Sequence, residues 1–392
     1  MISVSLLVIL TLCVCVLLLP TLSDLLSLSR IALRRRRGPT TTPSGPPRLL
    51  FLVPAHNEEQ LIASCVKSLT SMPYERFAVC VVADNCNDQT ASVVRAAGVE
   101  CLERQDPMRQ GKPYAIVWAL DRLPIQDFDA VVIVDADTVV DRDFASALAM
   151  AAPLRYKVVQ AYNDVRNRAE NALTRMAAVL SAANHRFAFG LKQRAGVNVP
   201  LSTGVCLGTE VLRTFGWKAF SICEDWEVYA QLTTQGVRIE SVPAARLFAE
   251  EAPTLRQSAS QRRRWTAGKM TVLTRYGWAL LRSPHIGFAQ KLDSIAELSA
   301  AGPVTHLGLA ISAVALVYLV RPPGAPLLAV AFAASLLRAA AYAVAGLRVD
   351  PEPARAALAL AFLPVYTVWR MAVAAAALTM VGDKPWVRTQ RR

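Results

Sequence analysis

The stretch Ala130-Val131-Val132-Ile133-Val134-Asp135-Ala136-Asp137 decides how the chain is read. Its apolar, mostly β-branched part has the composition of a strand buried on both faces, as in the middle of a parallel sheet. Two carboxylates then follow, one residue apart, where the strand should end. In an open α/β sheet, ligands gather at the carboxyl ends of the strands. An Asp-X-Asp there can hold a hard divalent cation through oxygen while the cation grips a diphosphate. Taken alone, the same residues would also suit a strand followed by an acidic turn.

The flanking sequence repeats the arrangement. Leu49–Val53 reads as a first buried strand running into Pro54-Ala55-His56-Asn57-Glu58-Glu59, with Asn57 placed to cap a helix through Ile62 and Leu69. Val79–Ala83 is a second strand ending at Asp84, and Val99–Leu102 a short third. Gly111-Lys112 opens a helix through Leu120. Strand and helix alternate with short connections, which predicts an α/β fold with a doubly wound parallel sheet. Beyond Asp141 the pattern loosens. Val158–Ala161 and Val237–Val242 suit strands, Ala169–Phe189 a long helix, and Leu201–Gly208 a turn or short strand. Cys223-Glu224-Asp225-Trp226-Glu227 opens another helix, and Gln261–Trp265 closes the domain.

Composition sets the ends apart from this middle. With 53% hydrophobic residues the chain is too apolar for an ordinary soluble enzyme. The excess lies outside Pro47–Trp265. Ile2–Leu19 is uncharged and just long enough to cross a bilayer, with Arg34–Arg37 behind it. That order reads as a retained anchor with the middle of the chain in the cytoplasm, rather than a cleaved signal peptide. After Trp265, a helix carries Met270, Leu273, Tyr276, Leu280 and Leu281 on one face, as an interfacial amphipathic helix would. Apolar segments follow at Val304–Val320, Pro326–Leu347 and Ala354–Val381, each able to span, and Ile295–Gly302 either begins another or extends the first. The expected division is an anchor (1–33), a basic, Pro-rich linker (34–47), a domain (48–265), an interfacial helix (266–285), a transmembrane region (286–382) and a basic tail (383–392). Arg338 and Arg370 lie inside apparent spans, where a charge either faces a bundle interior or snorkels.

The net charge of +13 gathers beside the apolar segments, which suits membrane lipid head groups better than nucleic acid. Arg262 and Arg263 are read as part of that lipid-facing charge. The eight cysteines lack metal-ligand spacing, so packed, reduced thiols are expected.

In order along the chain stand an Asn-Glu turn, Asp84, Asp135-Ala136-Asp137, Glu224-Asp225-Trp226, and Gln261-X-X-Arg264-Trp265 before the apolar segments. This resembles the family 2 membrane glycosyltransferases, the group of cellulose, chitin, hyaluronan and poly-N-acetylglucosamine synthases. The resemblance implies a GT-A fold, a UDP-sugar donor, a Mg²⁺ or Mn²⁺ ion and inversion at the anomeric carbon. It implies that Pro54, Ala55 and Glu58 border the uridine and that Asp84 binds the base or ribose. Lys112 would lie near the nucleotide, Asp135 would face the nucleotide-sugar, and Asp137 would ligate the metal. Asp225 would be the general base, supported by Glu224, while Gln261, Arg264 and Trp265 would cover the pyrophosphate and wall the acceptor channel. Where many members carry Gly-Thr-Gly near the acceptor, this chain has Ser202-Thr203-Gly204.

The chemistry supports these roles independently. A leaving diphosphate must be neutralised, which a divalent ion and Arg264 can do. The acceptor hydroxyl must lose its proton, a task for a carboxylate such as Asp225. The leading expectation is transfer of GlcNAc or Glc to a growing polysaccharide; transfer of one sugar to a lipid acceptor is the alternative. A transporter would explain the spans but not the acidic motifs. Nucleic acid is not an expected partner, because no aromatics interleave with the basic clusters.

Overall fold

The computed structural model describes residues 4–33 and 45–382. Arg34–Arg37, the rest of the linker through Ser44, and the basic tail lie outside the described residues. Helix α1 covers Val4–Leu33. The sheet domain begins with β1 (Leu49–Ala55), α2 (Ile62–Thr70), β2 (Phe77–Asp84), α3 (Thr90–Ala96), β3 (Glu100–Arg104), α4 (Lys112–Leu120) and β4 (Ala130–Ile133). It continues through β5 (Val139–Val140), α5 (Phe144–Ala149), β6 (Val158–Val165), α6 (Ala172–Ala182) and α7 (Phe189–Ala195). Then come β7 (Val205–Gly208), α8 (Thr209–Phe215), α9 (Glu224–Thr234) and β8 (Ile239–Ala249). Six α-helices complete the described chain: α10 (Leu255–Arg282), α11 (Phe288–Ser299), α12 (Pro303–Val320), α13 (Ala325–Val349), α14 (Pro353–Ala359) and α15 (Leu363–Ala377).

The strand order is β3-β2-β1-β4-β7-β6-β8-β5. The first four strands are parallel, as the alternation predicts. The sheet then departs from the doubly wound expectation. β7 runs antiparallel to both β4 and β6, and β5 antiparallel to β8. A short apolar run such as Val205–Leu207 carries no sign of direction, so periodicity could not reveal the reversal. The reversal matters for the site, because Val205 at the start of β7 pairs with Ile133 at the end of β4. The Ser202-Thr203-Gly204 turn is thereby delivered beside Asp135.

Helices cover both sheet faces. Along β1, Leu49, Phe51 and Val53 pack into one core while Leu50 and Leu52 pack into the other. Such a strand must be apolar at every position, which is why these runs could be found in the sequence.

Other expectations shift in detail. The third strand begins at Glu100 and the last runs on to Ala249. The helix expected over Ala169–Phe189 is α6 and α7 joined by a π-helical segment, Ala183–Ala188. Asn57 does not cap α2, whose N-cap is Leu61; its side chain instead accepts from the Asn87 N–H at 2.9 Å. The motif Gln261–Trp265 and the expected interfacial helix are one continuous helix, α10. Ile295–Ser299 belongs to α11, separate from α12.

Among the described residues, four helical segments are long and apolar enough to cross a membrane: Ser5–Leu33, Pro303–Val320, Ala325–Val349 and Pro353–Met380. Their outer faces are apolar and open, with Leu327, Val330 and Leu337 of α13 each at least 65% exposed. α1 is also tied to the later helices by polar contacts. Its Asp24 carboxylate accepts from Arg338 Nε and Tyr342 Oη of α13, both at 2.8 Å, and Ser23 donates to Asp293 of α11 at 2.8 Å. Arg338 therefore faces the bundle interior with its counter-ion beside it.

Candidate active site

The ends of β1, β2 and β4 open on the same side, carrying Ala55, Asp84 and Asp135. Asp84 is only 3% exposed. Its carboxylate accepts from Arg104, from Asn85 Nδ2 at 3.0 Å and from the Gly111 N–H at 3.4 Å. Gly111 has φ +113°, a left-handed conformation that suits a residue without Cβ. Asp84 thus fixes the turn that starts α4, and with it Lys112.

Lys112 is the hub of the site. Its Nζ lies 2.9 Å from Asp135 Oδ1, 3.0 Å from Glu224 Oε1 and 3.8 Å from Asp225 Oδ1. One ammonium therefore joins the end of β4 to the start of α9, two motifs that the sequence separates by almost ninety residues. Burial alone would lower the lysine's pKa, but Asp135, Asp225 and Glu224 more than reverse it and hold it well above the ordinary range. Asp225 moves the other way from an ordinary carboxylic acid. Burial raises its pKa, Lys112 opposes that, and Glu224 and Asp135 reinforce it, leaving it at about 7. A carboxylate poised there is half ionised at neutral pH, the condition in which it can both take and return a proton.

Backbone geometry holds these groups in place. Thr203 Oγ1 accepts from the Asp135 N–H at 3.1 Å. Buried Gln160 braces the same turn, donating to Thr203 O at 2.9 Å and accepting from Ser202 N at 2.8 Å. At Gly204, with φ +78°, a Cβ would lie 2.1 Å from Leu247 Cδ2. On the other side, buried Glu227 accepts from the backbone N–H groups of Phe220 (3.0 Å) and Ser221 (2.8 Å). It also receives Tyr276 Oη at 3.0 Å and Arg275 Nη1 at 3.1 Å from α10. The loop leading into Glu224-Asp225 is thus tied to α10. The tie is close: a Cβ at Gly268 would meet Cys223 Cβ at 2.3 Å.

That approach brings Gln261, Arg264 and Trp265 of α10 to the acidic groups. A cavity of about 1310 Å³ is lined by every expected site residue except Gly204: Pro54, Ala55, Glu58, Asp84, Lys112, Asp135, Asp137, Ser202, Thr203, Glu224, Asp225, Gln261, Arg264 and Trp265. Gly204 contributes backbone only, behind Thr203. Past Trp265 the cavity continues between α12, α13 and α15, where Leu309, Met371 and Leu378 line it.

One arginine is not where the sequence put it. Arg262 does not face lipid; it pairs with Glu251 and its guanidinium lies 4.7 Å over the Trp265 ring. Glu251 follows β8, and nothing local in the sequence marks it as a partner. Arg263 is exposed. Sequence reasoning also missed Gln160, Glu227 and Arg104. Only Gln160 left a signal, as an amide inside an apolar strand.

Residues 46–268, more than half of the chain, match the model of a family described as glycosyltransferase like family 2. The chain belongs to that family. Two curated relatives are similar to it: a probable glycosyltransferase, YdaM, of Bacillus subtilis (23% identical over 251 residues, 59% of this chain and 57% of the relative) and the beta-monoglucosyldiacylglycerol synthase of Synechocystis (24% over 257 residues, 63% and 53%). The chain thus spans about half the length of the curated relatives it matches. Among solved structures, the mannosyltransferase PcManGT of Pyrobaculum calidifontis, in complex with GDP-Man and Mn²⁺, aligns over 94% of this chain and 97% of its own with a TM-score of 0.57 at 19% identity. At that identity the likeness speaks for the fold alone. It extends over the apolar helices of this family 2 glycosyltransferase as well as the sheet.

Proposed function

We propose that this glycosyltransferase moves one sugar, Glc or GlcNAc, from a UDP-sugar to the hydroxyl of a membrane lipid, with inversion at the anomeric carbon. The observation that carries the reading is a single cavity. One end holds the Lys112–Asp135–Asp225 cluster, and the other lies among helices able to span a bilayer, where apolar Leu309, Met371 and Leu378 stand beside polar Thr305, Ser335 and Arg370. An amphiphile fits such a space with its tail among the helices and its hydroxyl at the acids. The catalytic domain would face the cytoplasm, where nucleotide-sugars are made.

In this reading, Pro54, Ala55, Glu58 and Asp84 form the nucleotide end. Asp225 takes the acceptor proton as the acceptor oxygen bonds to the anomeric carbon. The bond from that carbon to the diphosphate breaks, and its electron pair leaves with UDP. Arg264 and Gln261 meet the diphosphate. Glu224 and Lys112 set the charge around Asp225.

Asp135 and Asp137 put hard carboxylate oxygens on the cavity wall, and no three His, Cys, Asp or Glu among the described residues form a metal-holding group. That donor set fits Mg²⁺ or Mn²⁺, which take much of their coordination from diphosphate oxygens and water. Bound by Asp137, such an ion would neutralise charge on the leaving diphosphate.

A polysaccharide acceptor is the second reading. Trp265, 39% exposed beside the acids, offers a flat face on which a sugar ring can stack. Full-length protein in nanodiscs should release UDP from a UDP-sugar when lipid acceptor and Mn²⁺ are both present. Release that is indifferent to lipid and followed by a ladder of oligosaccharides would favour the polymer instead.

A further inference from the structure

Two intramembrane arginines of this chain are treated differently by the fold. Arg338 on α13 meets Asp24 at 2.8 Å and Glu297 at 3.9 Å. Arg370 on α15 is 9% exposed, and its Nη1 has no hydrogen-bond partner among the described residues. The groups acting on it electrostatically are the Tyr366 hydroxyl and another cation, Arg262. Arg262 has its own counter-ion in Glu251. A guanidinium buried among apolar helices without a carboxylate is costly, and such groups usually face a pathway or a ligand. Arg370 lines the cavity that runs back to Asp225. A second orphan lines the same cavity: Thr305 Oγ1 at the start of α12, 2% exposed and without a partner among the described residues.

We infer that Arg370 and Thr305 form an oxyanion subsite in the acceptor half of the cavity, which takes the phosphodiester of an anionic lipid whose free hydroxyl reaches Asp225. The missing counter-ion of Arg370 is then supplied by the acceptor. The planar guanidinium suits a phosphate, to which it can present two parallel N–H groups, and Thr305 adds a neutral donor. This rests on the lipid-acceptor reading and narrows it, since a neutral diacylglycerol would leave Arg370 as it stands. It also explains the placement of Arg262: with its charge met by Glu251, it leaves Arg370 as the cation available to the acceptor.

The test uses full-length protein in nanodiscs of phosphatidylcholine containing either phosphatidylglycerol or diacylglycerol, both of which carry a free hydroxyl. Glycolipid formation and lipid retention in native mass spectrometry are measured in parallel. Wild-type protein should prefer phosphatidylglycerol. Arg370→Gln should lower the ratio of phosphatidylglycerol to diacylglycerol use at least tenfold through KM, and lower phosphatidylglycerol retention with it. Arg370→Lys should restore part of the preference, and Thr305→Val should lose a smaller part. Equal effects on both lipids, or a wild-type preference for diacylglycerol, would overturn the subsite while leaving the lipid reading intact. Glycosylation of neither lipid would overturn both. Inhibition by millimolar inorganic phosphate that Arg370→Gln abolishes, without any preference between the lipids, would assign the subsite to free phosphate and overturn the lipid assignment.

Discussion

The ammonium of Lys112 stands 3.0 Å from the carboxylate of Glu224, and this contact joins the parallel half of the sheet to the helix that presents the candidate base. It also sets the charge on the neighbouring residue. Lys112 lowers the pKa of Asp225 against burial, which is the larger effect. Replacing it with Gln removes the opposing cation, so Asp225 should hold its proton to higher pH. As the proposed base, Asp225 acts when ionised, so turnover should rise with pH through about 7 in the wild type. In Lys112→Gln that rise should move up by about one pH unit, with roughly a fivefold loss of turnover at pH 7. A pH–rate profile checks it; an unmoved limb would detach Lys112 from the base.

Glu227 shows how a residue away from the chemistry can govern it. It receives two backbone N–H groups from the loop before Glu224-Asp225 and two side chains from α10. Glu227→Ala leaves the two loop N–H groups without this acceptor and should cost about 2–3 kcal/mol of stability. It should reduce kcat while changing the KM for the donor little. Glu227→Gln, which still accepts, should recover much of both. Thermal unfolding and steady-state kinetics on the two variants separate a positioning role from a merely structural one.

The contact between Gly268 and Cys223 predicts a reciprocal pair. Gly268→Ala places a methyl group 2.3 Å from Cys223 Cβ. α10 must then shift from the loop, at about 1–3 kcal/mol for such overpacking. Transfer should fall with stability. Cys223→Gly in the same chain removes the atoms in the way, and the double variant should be more active than Gly268→Ala alone. Additive losses in that double-mutant cycle would mean the two residues do not meet.

Two neighbouring arginines should behave unlike each other. Arg262 pairs with Glu251 and covers Trp265, whereas Arg263 is exposed. A lysine at 262 cannot keep both the ion pair and the stacked face. Arg262→Lys should therefore lower kcat/KM for the acceptor by about tenfold, and Arg263→Lys should stay within about twofold. Equal effects would show that the stretch acts as an undifferentiated basic patch.

Much of this was legible because it depended on local pattern. β1, β2 and β4 are buried on both faces, so their apolar runs stand out, and Asp84, Asp135 and Asp137 stand out as carboxylates closing two of them. Lys112 and Glu224-Asp225 could be placed at helix starts. What stayed hidden depended on distant partners. The Lys112–Glu224 bridge, the Arg262–Glu251 pair and the Arg338–Asp24 pair each join residues that no periodicity connects. β7's direction is set by its neighbours in the sheet. The unity of α10 was obscured because its first half is polar and faces the site, while its later half looked like a membrane-surface helix. Reading Arg262 as lipid-facing followed from its place beside the apolar segments, which gave no sign of its partner Glu251.

The central claim is that Asp225 activates a lipid hydroxyl for transfer of a single sugar. The most direct measurement is mass spectrometry of lipids extracted after full-length protein in nanodiscs is incubated with isotopically labelled UDP-sugar and Mn²⁺. The wild type should add one hexose or N-acetylhexosamine to a lipid. Asp225→Asn should form that product roughly 10²–10⁴-fold more slowly, with nucleotide binding retained. Undiminished glycolipid from Asp225→Asn, or a ladder of sugars with no lipid attached, would contradict the account.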